Sequence, residues 1–194
     1  MTTAGLTLTD RIAAFRDAYG LVIEQAGGLF GGSAAAYDGE HIYRYVLARV
    51  WGPGPVLVWV MLNPSTATAF EDDPTVNKCW RRAARLGYGG IIVVNLFAFR
   101  ATDPAVMLAA ADPVGPVNDA CLTGFCTPGT AVVAAWGAHG NHLGRASAVT
   151  AKLTGAGVLL QCLDVTKDGE PKHPLYLPMA LKPVPYERKA VAAA

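Results

Sequence analysis

Apolar and polar positions change their period along the chain, and the changes predict its elements. From Thr9 or Asp10, either of which can cap, Ile12, Phe15 and Tyr19 recur at helical spacing. They predict a short amphipathic helix that lies as a lid on the core. A glycine-rich turn follows at Gly27, Gly28, Gly31 and Gly32. Two runs rich in β-branched and aromatic residues, His41 to Val50 and Val56 to Leu62, then predict strands, and Gly52-Pro53-Gly54-Pro55 between them reads as a hairpin turn. Further strands are expected at Ile91 to Leu96, Ala131 to Trp136 and Val158 to Leu163, separated by segments with helix signals. That alternation predicts an α/β fold: a three-layer α/β/α domain with a mostly parallel central sheet and an N-terminal hairpin strand.

Asp73-Pro74, Asp103-Pro104 and Asp112-Pro113 can each open a helix, with Asp as the cap and Pro in the first turn. After Asp73 the pattern is clearest. Val76, Cys79, Trp80, Ala83 and Ala84 share one face, and Lys78, Arg81, Arg82 and Arg85 share the other. The basic face is either an ordinary solvated surface or a stripe that contacts phosphates.

Composition bounds this picture. The 194 residues are 52% hydrophobic and 16% charged, below the ~25% charged of ordinary soluble domains, so global disorder is excluded. One domain is expected, with a core over about residues 37–180, a helix and lid in 1–30 and a frayed tail in 187–194. The longest apolar run, Val56 to Leu62, is too short to cross a bilayer. The first residues lack a secretory pattern, so a cytoplasmic location is expected. Cys79, Cys121, Cys126 and Cys162 form no C-x-x-C pair and read as reduced core residues. A net charge of +1 excludes nucleic-acid binding through bulk charge alone, though not through a local stripe.

Ligands of open α/β sheets bind beyond the carboxyl ends of the strands. Those ends carry Asn63-Pro64-Ser65-Thr66-Ala67, Asn95-Leu96-Phe97-Ala98-Phe99-Arg100, Trp136-Gly137-Ala138-His139-Gly140 and, later, Lys172-His173-Pro174-Leu175-Tyr176. Two amides, an imidazole and several aromatics are thereby placed on one rim. The same motifs carry two resemblances. The Asn-Pro-Ser-Thr-Ala block, the run from Val93 to Pro104 and the His-Pro-Leu-Tyr-Leu segment resemble the domain of unknown function 1643 family of bacteria and phages, over roughly Tyr43 to Pro178. More distantly, Asn63-Pro64, Asn95, the Val132 to Gly137 strand and His173-Pro174 occur in the order of the uracil-DNA glycosylase superfamily, and Asn63-Pro64 is similar to the Asn-Pro of its mismatch-specific branch.

The second resemblance implies a uracil-DNA glycosylase-like fold and hydrolysis of an N-glycosidic bond without a cofactor or metal. Cleavage builds positive charge on the sugar and negative charge on the departing base. Asn63 would orient the attacking water and His173 would stabilise the leaving base. Asn95 would read the base edge, with Pro64 and Ser65 beside it. Phe97, ahead of Phe99, would stack on the base, and Leu175 and Tyr176 would fill the vacated stack. Lys78, Arg81, Arg82, Arg85 and Arg100 would contact the nucleic-acid backbone. The sequence departs from the glycosylase pattern at Ser65, where glycine is usual, and after His173-Pro174, where small residues and a further proline are usual.

Other constellations are weaker. Gly137 to Gly144 is a glycine-rich strand-to-helix turn, yet it is no P-loop. His139 and His142 with Asp164 or His173 match no zinc spacing, and Ser65 lacks a nucleophile elbow. Three functions remain open: an enzyme acting on a base in DNA, either single-stranded or with the base flipped out; an enzyme acting on a free nucleoside or nucleotide; and a non-catalytic base-recognition module.

Overall fold

A computed structural model of the chain describes residues 8–28 and 31–188. Eight strands form one sheet in the order β1-β2-β3-β5-β4-β6-β7-β8. They are β1 (Val22–Gly28), β2 (Gly31–Tyr37), β3 (Arg44–Val50), β4 (Val56–Met61), β5 (Gly90–Asn95), β6 (Ala131–Ala134), β7 (Leu160–Cys162) and β8 (Val184–Pro185). The helices are α1 (Leu8–Tyr19), α2 (Pro74–Arg85), α3 (Pro104–Leu108), α4 (Asn118–Phe125) and α5 (Arg145–Gly155).

The sheet is mixed, not mostly parallel. β5, β4, β6 and β7 pair in parallel, as the strand–helix rhythm predicts. The pairs β1·β2, β2·β3, β3·β5 and β7·β8 are antiparallel and outnumber them. The excess comes from the N-terminal region, where β1 and β2 form a hairpin across the glycine-rich segment read above as a plain turn. Alanine, serine and glycine make up most of β2 and the second half of β1, whose only large apolar residues are Val22 and Ile23, so no alternation of such residues marks the two strands. The proposed caps Thr9 and Asp10 lie inside α1, whose preceding residues fall outside the described chain.

The expected β3–β4 hairpin is also absent. β5 inserts between them, because all six of its residues are buried and both of its edges need a neighbour. The Gly52-Pro55 turn instead packs on the start of β5: Trp51 N–H and Gly52 N–H donate to Gly89 O at 2.9 and 3.2 Å, and Gly89 N–H donates to Pro55 O at 2.9 Å. Only glycine fits at 89, since a Cβ there would lie 2.4 Å from Gly52 O and 2.6 Å from Pro53 O.

Successive residues of the central strands point to opposite faces. Leu57, Trp59 and Met61 of β4 pack with Val76, Cys79 and Ala83 of α2. Val58 and Val60 face Ile12 of α1, Leu122 and Phe125 of α4, and Val149 and Leu153 of α5. Both faces of the sheet are therefore covered by helices. Asp73 caps α2 by accepting from Val76 N–H at 2.8 Å, and Asp103 caps α3 through Ala105 N–H at 2.9 Å. Asp112-Pro113 opens no helix: Asp112 accepts from Val114 and Gly115 N–H in a turn, and α4 starts at Asn118. All four cysteines are buried thiols, and burial pushes those of Cys121 and Cys126 up to about 12. Within the expected tail, Arg188 is anchored by an ion pair to buried Glu170 at 2.7 Å. Among the described residues no helix is long and apolar enough to cross a membrane.

Candidate functional site

The carboxyl ends of β4 and β5 lie side by side, with Met61 opposite Asn95. Leu96 N–H donates to Met61 O at 2.8 Å and Phe97 N–H to Leu62 O at 2.9 Å, so the two chain exits stay together. Behind them Asn118, fully buried, donates from Nδ2 to Asn95 O and Leu96 O at 3.1 and 2.9 Å, and Arg145 Nε donates to Leu96 O at 2.8 Å. These bonds fix the rim against which side chains from distant parts of the chain meet.

Between the strand ends and the start of α2 lies a cavity of about 60 Å³ whose polar lining includes Arg44, Asn63, Ser65, Asp73, Asn95 and His173. The two carboxamides and the imidazole are thus brought together. The volume corresponds to about two waters at ~30 Å³ each. It is far below the ~300–1,000 Å³ of pockets that enclose a whole ligand. The chamber therefore holds a small group or the edge of a ring, not an entire base. Ser65 also lines a second, open cleft of about 390 Å³ walled by His41, Thr66, Phe99, Arg100 and Thr102. A larger ligand has its room there.

Each polar side chain of the chamber has a definite remaining capacity. Asn63 donates both hydrogens of Nδ2, to Ala101 O at 2.8 Å and Pro64 O at 3.0 Å, which leaves its carbonyl oxygen as the available group. Asn95 is 2% exposed, and its Nδ2 is buried without an acceptor. His173 follows β7 on the segment that Lys172 ties back, through its N–H to Asp164 O at 2.9 Å. Burial lowers the His173 pKa from the ordinary imidazole value, against the weaker pull of Asp73, so the ring is neutral at pH 7. A neutral imidazole still offers one N–H and one acceptor.

Arg44 was not singled out from the sequence, where it reads as part of an apolar strand. It is 2% exposed and donates from Nη1 to Ala67 O, while its Nε has no partner. Burial, partly offset by Tyr37 and Asp73, pushes its pKa down to about 10, so it remains a cation at neutral pH. The only sequence signal for it is a charged residue held between the aromatic residues Tyr43 and Tyr45 at the start of a run whose one other charged residue is Arg49.

A scan of family models matches residues 44–175 to the protein of unknown function family DUF1643. The chain belongs to that family. The DUF1643 match begins at Arg44 and includes every residue of the chamber, whereas the β1–β2 hairpin lies outside it. No curated protein and no solved structure matches the chain.

The remaining sequence-based candidates separate. Pro64 is buried, and its carbonyl accepts from Ala101 N–H at 2.9 Å. Phe97 is fully buried on the face of the sheet opposite α2, with its ring 5.7 Å from His142, so it is no platform for an entering base. Phe99 is half-buried in the open cleft, where Tyr43 meets it edge-on at 6.0 Å. Leu175 is half-buried; Tyr176 is 84% exposed, with its ring 6.2 Å from His173.

The basic stripe divides as well. Arg82 is 1% exposed and donates to the carbonyls of Leu177, Pro178, Met179 and Leu181. Lys78 Nζ donates to Leu175 O at 2.6 Å. Both tie down the segment after His173, which corrects the reading of Arg82 as a phosphate contact. A helix face that looks basic in sequence is here partly a clamp for a chain that ends no strand or helix and so leaves its carbonyls unpaired. Arg81 and Arg85 are exposed. Arg100 lies in the open cleft, where Nη1 donates to His41 O at 2.9 Å and the guanidinium stacks over Tyr37 at 5.2 Å.

Ala138–Gly144 forms 3-10 turns interrupted at His142 and Leu143, and the N–H of Gly137, which precedes them, donates to Pro171 O at 2.7 Å. Among the described residues no three His, Cys, Asp or Glu side chains converge as metal ligands.

Proposed function

We propose that the protein recognises a nucleobase and hydrolyses its N-glycosidic bond, with a damaged or modified base in DNA as the substrate. The observation that carries this reading is the meeting of Asn63, Asn95 and His173 around one chamber at the carboxyl ends of β4 and β5. Asn63, its nitrogen held by two carbonyls, presents an oxygen that accepts from water and aims it at the sugar. Asn95 presents an unused buried donor to the base edge. His173 donates a hydrogen bond to the base as negative charge builds on it. Phe99 flanks the sugar and base in the open cleft that meets the chamber at Ser65. We also read the helices on both sheet faces as a three-layer arrangement resembling uracil-DNA glycosylases, modified by the antiparallel β1–β3 side.

The test is incubation with duplex and single-stranded DNA bearing uracil, hypoxanthine, thymine mismatches or modified pyrimidines, followed by detection of abasic sites. At least one substrate is expected to lose its base, and absence of excision from all of them contradicts the reading. A second reading, a free nucleoside or nucleotide as substrate, is favoured by the inward use of Lys78 and Arg82, which removes half of the four-residue stripe from DNA contact. Salt separates the two: duplex binding weakens steeply as salt rises, and small-ligand binding does not.

A further inference from the structure

The chamber holds more unused donor capacity than any other buried place described above. The guanidinium of Arg44 meets a single protein acceptor, Ala67 O, and its Nε is buried with none. Asn95 Nδ2 is buried with none. Both side chains are 2% exposed and line the same chamber, where the hydroxyls of Ser65 and Thr75 stand beside them. Unpaired buried donors are destabilising, and a buried cation without a close carboxylate more so. Asp73 shares the wall, but its Oδ1 is committed to Val76 N–H at the start of α2, and it attracts Arg44 without an ion-pair contact.

From this geometry we infer that Arg44 and Asn95 form an oxyanion receptor, which takes the carboxylate or phosphate group of a ligand, or such an ion alone. A guanidinium donates two parallel hydrogen bonds to the paired oxygens of these groups, and the amide of Asn95 supplies a further donor. The volume of about 60 Å³ suits one such group. The remainder of a larger ligand passes Ser65 into the open cleft. The receptor stands whether or not the chain cleaves a base. Where it does, the same donors meet the charge on the departing base, a use that rests on the function proposed above.

The test is calorimetric titration of the full chain with sodium formate and, separately, inorganic phosphate, against sodium chloride at equal ionic strength. Saturable binding of formate or phosphate, absent for chloride, is expected, and the preferred ion tells carboxylate from phosphate. Arg44→Met removes the charge and Arg44→Lys keeps it without the fork; each is expected to weaken binding at least about tenfold. Asn95→Leu weakens it severalfold, and Lys167→Met, at an exposed position outside the chamber and the cleft, leaves it unchanged. In the unaltered chain the Arg44 Nε–H resonance shifts with the same midpoint, a readout that does not depend on any variant folding. No saturable binding, equal response to chloride, an unmoved Arg44 resonance, or full binding by a folded Arg44 variant overturns the receptor. Base excision without oxyanion binding overturns the receptor alone, and oxyanion binding without excision overturns only the proposed function.

Discussion

Replacing Arg82 with Met removes the clamp between α2 and the segment that follows His173. Four backbone carbonyls lose a charged donor, two of them at short range: Leu181 O at 2.6 Å and Pro178 O at 2.9 Å. Hydrogen bonds from a charged group contribute roughly 1.5–3 kcal/mol each, but bonds sharing one side chain do not add, and the variant no longer has to desolvate a guanidinium. A loss of about 3 kcal/mol is the expected net effect. Urea unfolding measures it: with a slope near 2 kcal/mol/M, the midpoint falls by roughly 1–2 M. Hydrogen exchange should show the damage concentrated at residues 177–181. Arg81→Met, one position earlier and exposed, is expected to stay within about 0.5 kcal/mol of the natural protein. If Arg82→Met instead keeps its midpoint and weakens binding to DNA, the clamp is wrong and the stripe is a nucleic-acid contact after all.

Three further outcomes follow from the site and the sheet. Asn63→Ala is expected to lower base excision by roughly 10²- to 10⁴-fold, while taking its side-chain donor from Ala101 O, with Pro64 O still bonded to Ala101 N–H, at about 1–2 kcal/mol of stability; abasic-site assays and urea unfolding check the two effects, and full activity refutes the assigned role. His173 should titrate below the ordinary imidazole value when followed by NMR. Because the unfolded chain then binds the proton more readily than the folded one, this group draws stability down as pH falls below about 6.5, and a midpoint above that value contradicts its burial. Gly89→Ala places a methyl group 2.4 Å from Gly52 O, so thermal unfolding should register a loss of about 2 kcal/mol or more; an unchanged melting temperature would contradict the close packing of that turn on β5.

The parallel centre and its helices were legible because β4, β5 and β6 are long-range apolar runs and because Asp73-Pro74 and Asp103-Pro104 cap as their chemistry dictates. The antiparallel side was not. Small residues in β1 and β2 hide the alternation, and nothing local to Gly52-Pro55 reveals that β5 will wedge between its flanking strands. Of the residues that line the chamber, Asn63 and Asn95 were legible because each is a polar residue at the carboxyl end of an apolar run, and His173 because it stands in the segment that follows the last apolar run, β7. Arg44 was missed for the converse reason: it sits inside its strand, and only the tertiary arrangement shows that its neighbours provide a single acceptor. Phe97 and Phe99 are two residues apart, a spacing that would put both on one face of a regular strand, but the chain has left β5 at Asn95 and turns Phe97 into the core while Phe99 lines the open cleft.

The central claim, that three side chains far apart in sequence act on one bound group, is tested most directly by following their nitrogen resonances together. The measurement is titration of isotope-labelled chain with free uracil and with deoxyuridine, reading Asn63 Nδ2, Asn95 Nδ2 and the His173 ring in one series of spectra. Shifts of all three with a single dissociation constant are predicted. Shifts with separate midpoints, or movement of one without the others, would contradict the account.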